Sequence, residues 1–340
     1  MFLRNFWYAA AMPPELDDGV LLGRWILGEP VLLYRATDGS IVAMEDICPH
    51  RSARLSSGER EGDLVRCLYH GLEFGADGKC VRVPAQQGSP SDGLKVKTYP
   101  VLEKWRLIWV WLGDPEKAVA DLIPDFHWNA DPNWYPVGDY MHLNCHWQLL
   151  ADNLMDLSHE AYVHRGTIGT DAVSETPATA ERKGELVTVE RIMPNCPAPP
   201  FYQKLKGYDG LIDRMHRINF QPPSTIVIES KSSPSGSTDT RDGLEYRVLC
   251  ALTPETEKST HFFWAVPRNF NPEQEVTDMM YQGSKAVFEE DVDILNRQQE
   301  VLSMRGDNLN WQNVHSDAGA VYARRIIKEL LSSEGGLNET

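Results

Sequence analysis

The chain has 340 residues, 42% of them hydrophobic, which is enough for two domains or for one domain with a large extension. Its formal net charge of −16 argues against binding to nucleic acid or to an anionic membrane surface. Six cysteines are too few for a disulfide scaffold at this length. The sequence shows neither a secretion signal nor an apolar run long enough to span a membrane, so we expect a cytoplasmic protein.

Residues 1–115 are predicted to form an all-β domain. Short β-rich runs alternate there with turn signals, and the dipeptides Asp38-Gly39 and Asp77-Gly78 favour the positive φ angles of tight hairpin turns. The clearest β-rich runs are Val31–Tyr34, Ser40–Met44 and Arg106–Trp111.

Two short arms of this domain each combine one cysteine with one histidine. Cys48 and His50 form the first arm, and Cys67 and His70 form the second. Zinc sites usually group like ligands, whereas this interleaving lets both thiolates bind one iron and both imidazoles bind the other iron of a [2Fe–2S] cluster. The sequence therefore predicts a Rieske cluster, with a zinc knuckle or a set of buried core cysteines as the alternative.

A proline-rich connector over residues 116–139 leads to a second predicted domain, residues 140–335. Helical patterns alternate there with long β-rich runs, which predicts an antiparallel sheet with helices packed on it and an α+β fold. The segment Lys231–Gly243, rich in Ser, Gly and Asp, is predicted to be a mobile loop. The β-rich runs are Leu186–Ile192, Thr225–Glu229, Tyr246–Leu252 and His261–Val266.

The start of this second domain carries another set of candidate metal ligands. On a helix, Asn153, Asp156 and His159 recur every three residues and share one side, and His164 requires the helix to loosen or end. The two imidazoles could then converge on one ion. A single histidine would more often be structural, but the full string Asp-Asn-x-x-Asp-x-x-His-x-x-x-x-His is far more specific.

A carboxylate is the third ligand that an iron(II) oxygenase site needs, and among the motif residues only Asp156 could supply it. A long helix predicted over residues 272–304 is the other source, since it offers several acidic residues close together. Helical periodicity places Asp291 on the core-facing stripe, Asp293 on the solvent side and Glu290 between them as the alternative.

These motifs resemble those of the Rieske non-haem iron oxygenases, from Arg4 to Gly319. The segments Asp152–His164, Leu68–Glu73 and Ala198–Phe201 are most similar to the branch that contains vanillate O-demethylase, dicamba O-demethylase and toluenesulfonate methyl-monooxygenase. The resemblance implies an N-terminal Rieske domain followed by a helix-grip catalytic domain.

The resemblance also implies roles for individual residues. His159, His164 and Asp291 would bind a mononuclear Fe(II), while Asp156 and Asn153 would have catalytic roles. Asp156 would connect an iron histidine of its own subunit to a cluster histidine of the next subunit in a ring of three. Because the chain has no GxGxxG fingerprint, electrons would come from a separate NAD(P)H-dependent flavin and iron–sulfur reductase.

The implied reaction is the O2-dependent O-demethylation of a methoxylated aromatic acid, whose hemiacetal collapses to a phenol and formaldehyde. Ring hydroxylation, methyl hydroxylation and N-demethylation with the same metals are the alternatives, and a zinc or electron-transfer binding module is the alternative outside enzymes. Strand alternation puts His261 on one face with Phe263 and Ala265, where it could bind an acidic or phenolic group or pack in the core. His216 shows no partner pattern.

Overall fold

A computed structural model describes residues 1–17, 19–84, 86–237, 243–306 and 311–336. The chain forms two compact units. The first comprises Phe2–Ile123 and Thr253–Thr256, and the second comprises Met1, Pro124–Leu252 and Glu257–Thr340. Among the described helices, none combines the length and the apolar character that a membrane span requires.

The first unit is all-β, as predicted. The strands are β1 (Trp7–Ala11), β2 (Leu22–Ile26), β3 (Glu29–Arg35), β4 (Ile41–Glu45), β5 (Glu59–Glu61), β6 (Leu64–Arg66), β7 (Glu73–Phe74), β8 (Cys80–Arg82), β9 (Val101–Lys104) and β10 (Leu107–Trp111). They pair antiparallel in the orders β1-β10-β9, β2-β3-β4 and β5-β6-β7-β8. The turn glycines Gly39 and Gly78 have φ angles of 87° and 77°, as the hairpin signals predict.

One core cluster of this unit lies beneath the two cysteine–histidine arms. It contains the fully buried side chains of Leu32, Tyr34 and Phe74, and the buried Cys48 and Cys67 belong to the same cluster. The arms are therefore fixed at their cysteine ends by hydrophobic packing, which gives metal ligands on loops a rigid base.

The second unit contains one large sheet with helices, the predicted α+β arrangement. The strands are β11 (Tyr135–Leu143), β12 (Thr179–Lys183), β13 (Leu186–Pro197), β14 (Leu211–Gln221), β15 (Thr225–Pro234), β16 (Leu244–Thr256) and β17 (Ser259–Arg268). Their order in the sheet is β11-β17-β16-β15-β14-β13-β12. The helices are α1 (Trp147–Met155), α2 (Glu160–Val163), α3 (Asp171–Glu175), α4 (Pro200–Lys206), α5 (Gln274–Arg305) and α6 (Ala318–Gly336).

The predicted loop over Lys231–Gly243 is wrong in its first part. Strand β15 continues to Pro234, and Ser232 pairs with Leu244 of β16. The polar composition is misleading because the hydroxyl of the buried Ser232 lies 3.0 Å from that of Tyr208, so the serine is accommodated inside the sheet. Residues 238–242 lie outside the described part of the chain.

Helix α5 packs against one face of β17. Phe288 of the helix meets Phe262 edge-on, with ring centroids 5.0 Å apart, and lies 5.1 Å from the ring of Trp264. Residues at every second position of β17 therefore point towards α5, and the intervening residues point to the opposite face.

Replacing Phe262 with alanine is expected to destabilise the second unit by about 3–5 kcal/mol, because the side chain is fully buried between strand and helix. Ile192→Ala on β13 serves as the control, since its side chain is 59% exposed and its loss should change stability by about 0.5 kcal/mol or less. Urea unfolding, monitored by tryptophan fluorescence, measures the free energy of unfolding of both variants. Equal destabilisation by the two variants would contradict this packing.

Candidate active site

The two cysteine–histidine arms form loops with the same hydrogen-bond pattern. In each, the cysteine amide donates to the carbonyl five residues ahead, and the amide four residues ahead donates back to the cysteine carbonyl. The residue four ahead has a positive φ, 56° at Ser52 and 71° at Gly71, which explains the glycine in the second arm. The bonds are Cys48 N to Ala53 O, 2.8 Å; Ser52 N to Cys48 O, 2.9 Å; Cys67 N to Leu72 O, 2.8 Å; and Gly71 N to Cys67 O, 2.9 Å.

These loops bring the two thiols of the predicted cluster ligands close to each other, and likewise the two imidazoles. Burial and the neighbouring Cys67 thiol raise the pKa of Cys48. The imidazole rings of His50 and His70 lie with their centroids 4.6 Å apart, and the buried Nδ1 of His50 has no hydrogen-bond partner among the described residues. Two thiols, two imidazoles and an unpartnered ring nitrogen fit a Rieske cluster, in which two histidines and two cysteines are the ligands.

The helix that carries the second motif is shorter than the sequence pattern predicts. Helix α1 ends at Met155, and Asp156 adopts an extended conformation with φ −127° and ψ 96°. The Asp156 carboxylate accepts hydrogen bonds from the amide and the hydroxyl of Ser158, at 2.9 and 2.7 Å, and so caps the following 3-10 turn. This break places His159 at the end of the new turn and His164 directly after α2, and both imidazoles contact Asp291 of α5.

His159, His164 and Asp291 converge on one point. One ligand atom from each lies within 4.8 Å of the other two, and Oδ1 of Asp291 is 3.4 Å from Nε2 of His159 and 3.2 Å from Nε2 of His164. Burial alone would raise the pKa of Asp291, but the two histidines lower it to about 2. Two imidazoles and one ionised carboxylate on one side of a site are the ligands that non-haem iron(II) prefers, with open positions opposite them.

Neighbouring groups fix the orientation of these ligands. Nδ1 of His159 lies 2.7 Å from the carbonyl oxygen of Asp156, which can only accept, so this nitrogen carries the proton and Nε2 is free for a metal. Nδ1 of His164 lies 2.6 Å from Oε2 of Glu290, and Nδ2 of Asn153 donates to Oδ1 of Asp291 at 3.0 Å. Glu290 was the alternative iron ligand in the sequence prediction. It contacts His164 at Nδ1, whereas Nε2 of the same ring faces Asp291.

A cavity opens beside this trio. Most of its walls are apolar, and the polar residues besides the trio are Asn153, Glu160, His216, Ser230, Tyr246 and Ser284. The apolar lining is Leu154, Leu157, Ile168, Phe201, Ile228, Val248, Val266, Met280, Val287 and Phe288.

His261, the predicted substrate-binding histidine, is not among the residues that line this cavity. Its Nδ1 lies 2.8 Å from the hydroxyl of Tyr140 on β11. His261 does share a face of β17 with Phe263 and Ala265, as predicted. The opposite face of the strand, which includes Val266, is the one that lines the cavity. The placement favours the alternative of core packing.

Sequence reasoning gave no individual role to four polar residues of the cavity: Glu160, His216, Ser230 and Tyr246. Glu160 follows an iron-site histidine directly and is a buried acid on α2, which is a detectable signal. The other three lie on strands that pair with one another, and no pattern within one strand indicates which residues become neighbours.

Comparison with known families agrees with both halves of the chain. The Rieske [2Fe-2S] domain model matches residues 6–100, and the vanillate O-demethylase oxygenase C-terminal domain model matches residues 143–333. The chain belongs to the vanillate O-demethylase oxygenase family. It is a Rieske non-haem iron oxygenase, so the predicted family and fold are confirmed and the zinc-module alternative is not supported.

Members of this family align with the chain over nearly its full length. The vanillate O-demethylase oxygenase subunit of Pseudomonas sp. (strain HR199 / DSM 7063) is 39% identical over 98% of this chain and 96% of its own. The toluene-4-sulfonate monooxygenase system iron-sulfur subunit TsaM1 of Comamonas testosteroni is 37% identical over 99% of both chains. The crystal structure of dicamba monooxygenase bound to 3,6-dichlorosalicylic acid superposes with a TM-score of 0.91 at 35% identity, covering 98% of this chain and 99% of that one.

Proposed function

We propose that this oxygenase removes the methyl group of a methoxylated aromatic acid of the vanillate type, with O2 as oxidant, giving a phenol and formaldehyde. The observation that carries the proposal is the trio of His159, His164 and Asp291 at the side of a mainly apolar cavity. An iron(II) held there would supply O2 activation and hydroxylation of the methoxy carbon. Relatives named as vanillate and dicamba O-demethylases support this reaction type.

The residues of the chain would have separate tasks in this reaction. The apolar walls exclude water and hold an aromatic ring against the ligand trio. Asn153 donates to the ligand oxygen of Asp291, and the carbonyl of Asp156 fixes the tautomer of His159. We propose Cys48, His50, Cys67 and His70 as the cluster ligands.

A separate NAD(P)H-dependent flavin and iron–sulfur reductase is the proposed electron donor. The named relatives are oxygenase components or subunits of larger systems, which supports this division. We further propose a cytoplasmic homotrimer, with a Rieske domain over residues 1–115, a connector over 116–139 and a catalytic domain over 140–335.

The proposed function is tested by incubating the purified oxygenase with a surrogate reductase, NADH, O2 and a panel of aryl methyl ethers. Formaldehyde and the corresponding phenol should form in equal amounts, coupled to NADH consumption. Methyl-substituted and N-methyl compounds in the same panel test methyl hydroxylation and N-demethylation. Absence of formaldehyde from every methoxylated compound would rule out O-demethylation.

Glu290→Gln is expected to weaken iron binding at the mononuclear site by about 10–100-fold, because the amide no longer accepts a charged hydrogen bond from His164. Glu289→Gln is the matched control, since it makes the same change at an exposed neighbouring position of α5. Iron retained after dialysis against graded concentrations of a chelator measures the affinity. Equal retention by both variants would show that Glu290 does not support the ligand.

A further inference from the structure

The second cysteine–histidine arm is the loop of a β-hairpin, and a buried ion pair closes its base. Strands β6 and β7 pair up to Arg66 and Glu73, which lie just before and just after the loop, and Nε of Arg66 donates to Oε1 of Glu73 at 2.9 Å. Arg82, opposite Glu73 on β8, donates to the same oxygen at 2.8 Å. Glu73 is therefore fixed at the point where the ligand loop meets the sheet.

The charges at the base of this loop are unequal in number and in burial. Arg66 also pairs with Glu59 and Glu61, so three carboxylates share two guanidinium groups. The side chain of Glu73 is 8% exposed, whereas every other member of the group is at least 33% exposed. Because water and ions screen exposed charges far more than buried ones, the field inside the domain comes mainly from Glu73.

Glu73 carries its negative charge in this buried position. Burial alone would raise the pKa of its carboxyl group, but hydrogen bonds from the two arginines lower it below the usual value. The effect of the charge reaches the core, since burial, and in addition the charge of Glu73, raises the pKa of the Cys80 thiol. Cys80 belongs to the same buried cluster of side chains as Cys48 and Cys67, the proposed thiolate ligands.

The hairpin is tight enough to place this charge close to the iron–sulfur site. Leu72, the neighbour of Glu73 in the chain, accepts a hydrogen bond from the amide of Cys67 at 2.8 Å. One-electron reduction makes a [2Fe–2S] cluster more negative, and net charge is one of the factors that set its potential. A buried carboxylate nearby opposes the added charge and so lowers the reduction potential.

We propose that Glu73 lowers the reduction potential of the Rieske cluster, so that the cluster releases its electron more readily to the mononuclear iron site. Glu73 acts through its charge and is not a ligand. Its two arginines hold the carboxylate at the base of the loop and keep it ionised where burial alone would favour the neutral acid. The inference rests on the proposed cluster ligands and makes no assumption about the substrate.

Redox titration of the purified holoenzyme, followed through the visible spectrum of the cluster, tests the inference without turnover. Glu73→Gln keeps the size of the side chain and removes its charge. It should increase the equilibrium constant for one-electron reduction by about tenfold, a positive shift of about 59 mV. Glu61→Gln is the matched control, because Glu61 also pairs with Arg66 but is 73% exposed, and it should change that constant by less than about twofold.

Two further variants separate the effect of charge from a loosening of the loop. Glu73→Asp retains the charge and should keep the potential close to that of the unaltered protein. Arg82→Gln changes a side chain that is 60% exposed, so the fold should tolerate it. It should lower the equilibrium constant by about twofold or more, opposite in direction to Glu73→Gln, because the carboxylate loses a compensating charge. Damage to the loop would shift both variants in the same direction.

An unshifted potential in Glu73→Gln, an equal shift in Glu61→Gln, or shifts of Arg82→Gln and Glu73→Gln in the same direction would each overturn the inference. If Glu73→Gln does not retain its cluster, the direction of the Arg82→Gln shift decides. Formaldehyde assays test the demethylase function separately. The expected potential shifts with no formaldehyde from any ether would contradict that function alone, whereas formaldehyde release with unshifted potentials would contradict only this inference.

Discussion

Replacing His159 or His164 with alanine is expected to abolish formaldehyde release while leaving the Rieske cluster intact. Each variant removes one of two imidazoles that lie within 3.4 Å of the Asp291 carboxylate, and the remaining pair cannot hold iron(II). Total iron should fall from about three atoms per chain to about two, the number in a [2Fe–2S] cluster. Metal analysis and the visible spectrum of the cluster measure the two sites separately.

The third ligand has a matched control on its own helix. Asp291→Ala should have the same effect as loss of a histidine, because its buried carboxylate contacts both imidazoles. Asp293→Ala removes a carboxylate that pairs with Arg297 at 3.0 Å on the exposed side of α5, and it should retain iron and activity. Loss of the cluster spectrum in the Asp291 variant, or iron loss in the Asp293 variant, would contradict the assignment of the site.

Residue patterns over short distances were sufficient to predict most of the metal chemistry. Each cysteine–histidine arm is a local loop, so the two ligands of an arm lie close together in the sequence. Asp291 is distant in sequence, but the period of α5 separates a buried face from an exposed one, and a buried acid on the core-facing side needs partners. These features depend on one element at a time, so the sequence alone is informative.

The cavity wall could not be predicted in the same way. Alternation shows that His261 and Phe263 share a face of β17, but it does not show which face meets α5. The neighbours His216, Ser230 and Tyr246 result from the register of three strands, which turns and packing determine together. The end of α1 at Met155 was not predicted either, although Asp156 followed by Ser158 is a capping arrangement that the sequence displays.

Asp156→Asn is expected to lower product formation by at least about a hundredfold with both metal sites filled. Burial alone would raise the pKa of Asp156, but hydrogen bonds from Ser158 lower it, so the group is a carboxylate beside an iron-site histidine. By the proposed ring arrangement, this charge would accept a hydrogen bond from a cluster histidine of the next subunit. The neutral amide keeps the shape and the Ser158 contact but weakens a charge-assisted bond across the subunit boundary.

Single-turnover experiments distinguish this role from simple misfolding. The chemically reduced Asp156→Asn protein, mixed with substrate and O2, should show normal iron content and a normal cluster spectrum but little product. Asp171→Asn makes the same change at an exposed aspartate that pairs with Arg165 at 2.7 Å, and it should behave as the unaltered enzyme. Full product yield from Asp156→Asn would mean that its carboxylate does not connect the two metal centres, and its contribution would then be the cap of the 3-10 turn that carries His159.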